Sequence, residues 1–89
     1  MRKASGNVQL EITHLDGRCT VTERVAEVIF ASDGDARQFL ETVARAELLE
    51  TPDACAVVAR TSAYPGVWAE AYDEGDGPVV TSGTDEDDA

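Results

Sequence analysis

Apolar residues alternate with polar ones on both sides of a tight turn near the N terminus. Val8, Leu10 and Ile12 alternate with polar neighbours, the dipeptide Asp16-Gly17 follows, and the alternation resumes at Cys19. A period of two is typical of a strand with one buried face, and Asp-Gly tolerates the positive φ of a tight hairpin turn. The first part of the chain therefore predicts an antiparallel β-hairpin.

The continuation of the second strand is ambiguous, because its apolar face changes sides between Glu23 and Val25. A one-residue bulge exchanges the two faces of a strand, and a break into two strands has the same effect. Residues 18–31 therefore predict either one bulged strand or two separate strands.

A helix is predicted from about residue 33 to residue 50. Ser32 can cap the first free amides, and Asp35 lies where a capping box places its acid. Apolar residues then recur at helical spacing, and Thr51-Pro52 ends the helix because proline disfavours helical backbone in the residue before it.

The rest of the pattern predicts a second hairpin. Residues 54–61 are a short apolar run suited to an interior strand, Pro65-Gly66 favours a type II turn, and residues 67–72 alternate again. The order is β-β-(β)-α-β-β. We expect an α+β domain in which one helix packs on one face of a four- or five-stranded antiparallel sheet.

One helix can cover only one face of such a sheet. Trp68, Tyr72, Val28 and Phe30 are candidates for the far face, where a patch of this kind would mark an interface. The alternative places these side chains in the core and the alanines outside, since register cannot be read from sequence.

Acidic residues are concentrated at the C-terminal end. The chain has 89 residues and a net charge of −11, and residues 73–89 hold seven acids and no base. Apart from Val79 and Val80, that segment has little that could offset the entropy of ordering it. We predict a flexible N terminus over 1–6, a single domain over 7–73 and a disordered acidic tail over 74–89.

The sequence has no motif for a metal, a nucleotide or an activated nucleophile. His14 is the only histidine, and Cys19 would need it alongside to act as a nucleophile. Cys19 and Cys55 are interpreted as free, buried thiols, since no secretory signal is recognised. We expect no enzyme activity, no cofactor and no metal, and a structural role for His14.

The charge favours a protein partner with a basic surface, and possible self-association into a homodimer is a further expectation. Direct binding to nucleic acid or to an anionic membrane would need clustered Lys and Arg. No apolar stretch could span a membrane, so a cytoplasmic location, in a cell or an infected host, is expected. The candidate partner-binding residues are Trp68, Tyr72, Glu47, Glu50, Glu70, Asp73, Glu74 and Asp76.

The leading hypothesis is a small acidic, non-catalytic binding or inhibitor protein that mimics nucleic acid. Small viral proteins that block host defence nucleases, anti-CRISPR proteins among them, share this size and charge, which is an analogy of composition. One alternative is an ordinary small domain of a halophile, in which acidity serves solubility. Another is a regulatory homodimer of antitoxin type, joined through the uncovered sheet face.

Overall fold

The computed structural model describes the backbone of residues 4–84 and the side chains of residues 7–23 and 29–84. The elements are β1 (Ala4–His14), β2 (Cys19–Phe30), α1 (Asp33–Glu50), β3 (Ala54–Thr61), β4 (Val67–Asp73) and β5 (Pro78–Thr84). All neighbouring strands are antiparallel, and their order in the sheet is β2-β1-β3-β4-β5. The predicted α+β class, with one helix on one face of an antiparallel sheet, is confirmed.

The β1–β2 hairpin forms where the sequence predicts it. Gly17 has φ of 93°, a value that favours glycine, and the backbone N–H of Arg18 donates to Asp16 Oδ1 at 3.0 Å. The Asp16-Gly17 dipeptide therefore lies in a three-residue loop between His14 and Arg18, in which only the glycine has a positive φ.

β2 is one irregular strand, but its two faces do not exchange. Gly6 pairs with Val28 and Val8 pairs with Arg24, so three residues of β2 lie opposite Asn7. Two extra residues are an even number, and an even shift returns the strand to the same face. Phe30, which lies opposite Ala4, therefore shares a face with Thr22, which lies opposite Leu10. Of the two alternatives, the single bulged strand is therefore found and the break into two strands is not, but the bulge holds two extra residues and not one.

α1 begins and ends as predicted. Ser32 is the N-cap and its Oγ accepts a hydrogen bond from the Asp35 backbone N–H at 3.2 Å. The helix lies mainly over β3, β4 and β5 and barely reaches β2. Within residues 4–84, no helix is long and apolar enough to cross a membrane.

The core lies between α1 and the sheet. Its buried residues are Val8, Leu10, Ile12, Phe30, Ala36, Leu40, Ala44, Leu48, Ala54, Val57, Ala59, Val67, Ala69 and Ala71. The alanines of β3 and β4 are small enough for the helix to approach closely. The Phe30 ring meets those of Phe39 and Tyr64 edge-on, at centroid distances of 5.6 and 6.1 Å.

This core decides where the four candidate far-face residues lie. Phe30 is in the core, whereas Trp68 and Tyr72 alternate with the buried Ala69 and Ala71 and so lie on the opposite face. The side chain of Val28 falls outside the described part of the chain.

The predicted tail boundary is wrong, because residues 78–84 form β5, the fifth strand of the sheet. β5 pairs with β4 along its whole length, from Asp73 opposite Pro78 to Val67 opposite Thr84. Backbone pairing and polar contacts to α1 hold this edge strand, so the apolar pattern used for prediction is weak there. At the other end, residues 4–6 belong to β1; residues 1–3 and 85–89 lie outside the description.

Candidate protein-binding surface

The sheet face that points away from α1 is called the open face. The strand register arranges its side chains in three rows across the sheet, since directly paired residues share a face. The rows are Glu23–Gln9–Arg60–Trp68–Gly83, Val21–Glu11–Val58–Glu70–Thr81 and Cys19–Thr13–Ala56–Tyr72–Val79. No other element of residues 4–84 covers these rows.

β4 places three of the predicted site residues side by side on the open face. Trp68, Glu70 and Tyr72 alternate along the strand with residues that face the core, and all three are half-buried. The acid therefore stands between two aromatic side chains on a strand that is paired on both edges.

The Trp68 ring packs against the backbone of β5. A Cβ placed on Gly83, its cross-strand partner, would lie only 3.1 Å from the Trp68 ring carbon Cζ2. The indole therefore rests directly on the glycine backbone, an arrangement that suits a large ring beside a strand glycine. This contact limits the freedom of the ring and half-buries it.

Two shallow depressions mark the open face beside the aromatic residues. One, of about 230 Å³, lies between β1, β2 and the β3–β4 connection, and the other, of about 200 Å³, is lined by Gln9, Glu11, Val58 and Arg60. Both are small for a ligand pocket and carry polar groups, so they suit the side chains of a protein surface better than a small molecule.

The other predicted site residues lie elsewhere. Asp73 ends β4, and Glu74 and Asp76 lie in the connection to β5. All three are exposed at what we call the lower end of the sheet, where β4 ends and β5 begins. Glu47 and Glu50 are on α1, across the sheet from the open face. The Thr51 hydroxyl donates to Glu47 Oε2 at 3.1 Å, so this carboxylate is engaged at the helix end.

Sequence reasoning missed the open-face residues of the interior strands, above all Glu11, Val58 and Arg60. The alternation in β1 already assigned Glu11 to the polar face. What the sequence lacks is the register that brings Glu11 beside Val58 and Val58 beside Glu70.

His14, at the end of β1, contacts β2 and the connection between α1 and β3 at the lower end of the sheet. Its Nδ1 lies 3.0 Å from Asp53 Oδ2, and its Nε2 lies 2.9 Å from the Thr20 hydroxyl. A carboxylate only accepts, so Nδ1 carries a proton and donates to Asp53, and in the neutral ring Nε2 accepts from the Thr20 hydroxyl. Both ring nitrogens of this buried histidine are therefore engaged, which fits the structural role expected for it.

The hypothesis that His14 activates Cys19 meets a geometric obstacle. Cys19 pairs with Thr13 and so lies on the open face, whereas His14 contacts Thr20 on the other face. Both cysteines are free thiols, as predicted, but Cys19 is exposed and Cys55 is half-buried, so the expected burial of both is wrong. Among residues 4–84, no group of three or more His, Cys, Asp or Glu side chains could hold a metal ion.

The turn beside His14 perturbs one carboxylate. The backbone N–H of Arg18 donates to Asp16, and the guanidinium Nε lies 2.8 Å from Asp16 Oδ2. These contacts, the backbone one first, hold the pKa of Asp16 below its usual value because they favour the ionised form. The turn therefore keeps its negative charge in mild acid.

Comparison of the chain with protein-family models, with curated proteins and with solved structures gives no match.

Proposed function

We propose that this chain is a small, non-catalytic binding protein whose open face occupies a basic surface of a protein partner. The observation that carries the proposal is the placement of Trp68, Glu70 and Tyr72 together on a face that no described element covers. Aromatic side chains near the centre of an interface often supply much of the binding energy. Because the Trp68 ring already packs against Gly83 in the free protein, it loses less conformational entropy on binding.

The charges around these aromatic residues support a cationic partner. The open-face rows contain three acids, Glu11, Glu23 and Glu70, against one base, Arg60, and three minus one gives a net charge of −2. The whole chain carries −11. Complementary charge speeds encounter and selects against partners of the same sign.

A basic protein surface of this kind also binds nucleic acid, whose phosphates attract clustered Lys and Arg. Occupation of that surface would therefore exclude nucleic acid, and the chain would act as an inhibitor. The proposal includes this competition, which is the mimicry that the charge of the chain suggests.

The test uses the partner recovered with the full chain as bait. Trp68→Ala should weaken binding by about 2 kcal/mol, as interface hot spots do, measured by isothermal titration calorimetry. Glu70→Gln should weaken it less, and this loss should shrink as salt is raised, because ions screen exposed charges. The matched control is Leu15→Ala, an exposed apolar residue in the β1–β2 turn that lies outside the three rows of the open face.

Binding of nucleic acid to the partner is measured in the same experiment. The parent chain should displace a labelled oligonucleotide from the partner, and Trp68→Ala should displace it less well. A partner that binds Trp68→Ala and Glu70→Gln as tightly as the parent chain would rule out the open face as the binding surface.

A further inference from the structure

A groove of about 550 Å³ runs between α1 and β5, on the side of the sheet opposite the open face. Its lining is Glu41, Thr42, Arg45, Ala46, Leu49 and Val80. Leu49 is 62% exposed although it is a leucine, while Val80 is half-buried against the core. The groove therefore offers an apolar floor and wall that the described part of the chain leaves open.

One edge of this groove is unpaired backbone. β5 is the last strand of the sheet, bonded to β4 on one side, and no strand within residues 4–84 pairs with its other side. An edge strand presents outward N–H and C=O groups that can pair with a further strand. A strand added there would point alternate side chains toward α1, into the groove.

Polar contacts fix the width of the groove at its upper end. The Arg37 guanidinium donates to Ser82 Oγ through Nη2 at 3.1 Å and Nε at 3.3 Å, and the Ser82 hydroxyl donates to Glu41. β5 is thereby tied to α1, so the edge and the helix wall are held in place before any ligand arrives. Such preorganisation lowers the entropy lost on binding.

The lower end of the groove leads toward acidic residues. α1 ends at Glu50 and β5 begins at Pro78, directly after the connection that carries Glu74 and Asp76. Arg45 is the base in the groove itself, midway along the helix wall. Basic groups of a ligand are therefore favoured at the lower end and disfavoured beside Arg45.

We propose that this groove binds an extended, basic segment of a partner protein, which adds to β5 as a sixth strand. An apolar side chain of the segment packs against Ala46, Leu49 and Val80, and Lys or Arg residues lie next to Glu74 and Asp76. Strand addition to an edge beside a helix is a recurrent way to recognise peptides. A second copy of this chain is a poor occupant, because each copy carries a charge of −11.

The experiment is selection of a displayed library of random decapeptides against the full chain, followed by titration of the best synthetic peptide. Selected peptides should alternate apolar and polar residues and carry Lys or Arg at one end. Backbone amide shifts of residues 79–83 should change in NMR spectra. N-methylation of alternate peptide nitrogens should weaken binding at least about tenfold, because it removes the strand hydrogen bonds.

Two variants and a matched control locate the site. Leu49→Gln and Ala46→Arg, both at exposed positions, should weaken peptide binding about tenfold or more, the second by filling the groove. Leu15→Gln is the control, since Leu15 is 72% exposed in the β1–β2 turn, remote from the groove. Glu11→Gln, on β1 and remote from β5, should leave the peptide affinity unchanged, which separates this site from the open face.

Three results would overturn the proposal: selection that enriches no peptide family, equal binding by Leu49→Gln and Leu15→Gln, or binding that tolerates every N-methyl group. A chain that sediments as a dimer, with Leu49→Gln restoring the monomer, would assign the groove to a second copy instead. The open-face proposal stands or fails independently, because its variants lie on the other side of the sheet.

Discussion

The Trp68 ring lies against Gly83 on the open face, where an added Cβ would be only 3.1 Å from the ring carbon Cζ2. Gly83→Ala should therefore gain nothing or destabilise the chain, although replacing glycine within a strand ordinarily gains about 0.5–1 kcal/mol. In a Trp68→Ala background the same substitution should stabilise by that amount. Urea unfolding of the four chains gives the coupling energy directly.

Trp68 is the only tryptophan, so its fluorescence reports the same contact. Gly83→Ala should shift the emission of the folded protein to longer wavelength, because the displaced indole meets more water. If Gly83→Ala changed the free energy of unfolding equally with Trp68 present and with Trp68→Ala, the ring would not rest on β5.

The sequence predicts the role of His14 but not its hydrogen-bond partners. One histidine without a partner at readable spacing predicts a structural role, and the bonds to Asp53 and Thr20 agree with that role. The partners themselves are not readable, because Asp53 lies 39 positions away and reaches His14 only when β3 pairs with β1. Long-range contacts of this kind depend on register.

β5 is the element that the sequence conceals. A chain ending at Asp73 lacks β5. It therefore loses all pairing along the outer edge of β4, the packing of Val80 and the contact between Gly83 and the Trp68 ring. We expect it to lose several kcal/mol of unfolding free energy, or to remain unfolded, since each hydrogen bond contributes about 1 kcal/mol and small domains have little to spare. Circular dichroism in urea measures the difference.

The control for this truncation is a chain ending at Thr84, which keeps every described element and lacks the same four terminal acids. It should unfold at nearly the urea concentration of the parent. Equal stability of the two truncated chains would contradict the pairing of β5 with β4.

The other elements were readable because local signals agree with the fold. The N-cap at Ser32, the Thr51-Pro52 stop and the Asp16-Gly17 turn each fix a boundary without help from distant residues. The size of the bulge in β2 and the existence of β5 were not predicted, because both are edge strands, which need only one neighbour and tolerate polar or irregular sequence. In β2, Cys19 and Val21 look like a buried face and are exposed, since their pairing with Thr13 and Glu11 places them on the open face, away from α1.

At the scale of the whole molecule, charge sets the response to salt. A net charge of −11 on 89 residues destabilises the compact state by self-repulsion. The urea midpoint should rise as potassium chloride is added and level off near about 0.3 M, where the Debye length has fallen to a few ångströms. The double variant Glu74→Gln and Asp76→Asn should show a smaller rise.

This measurement also separates the proposed function from the halophile alternative. A domain adapted to salt would keep gaining stability into the molar range, well beyond the point where screening is complete. A midpoint that climbs steadily to multimolar potassium chloride would favour solubility in brine as the reason for the acidity.

The position of β1 has a consequence for synthesis on the ribosome. β1 comes first in the chain but lies between β2 and β3, and Val8 meets its partner Thr61 only after more than fifty further residues are added. The nascent hairpin of β1 and β2 therefore emerges with one long side of β1 bare. Closing so large a loop is slow compared with hairpin formation, so the growing polypeptide stays vulnerable to wrong pairing until β3 appears.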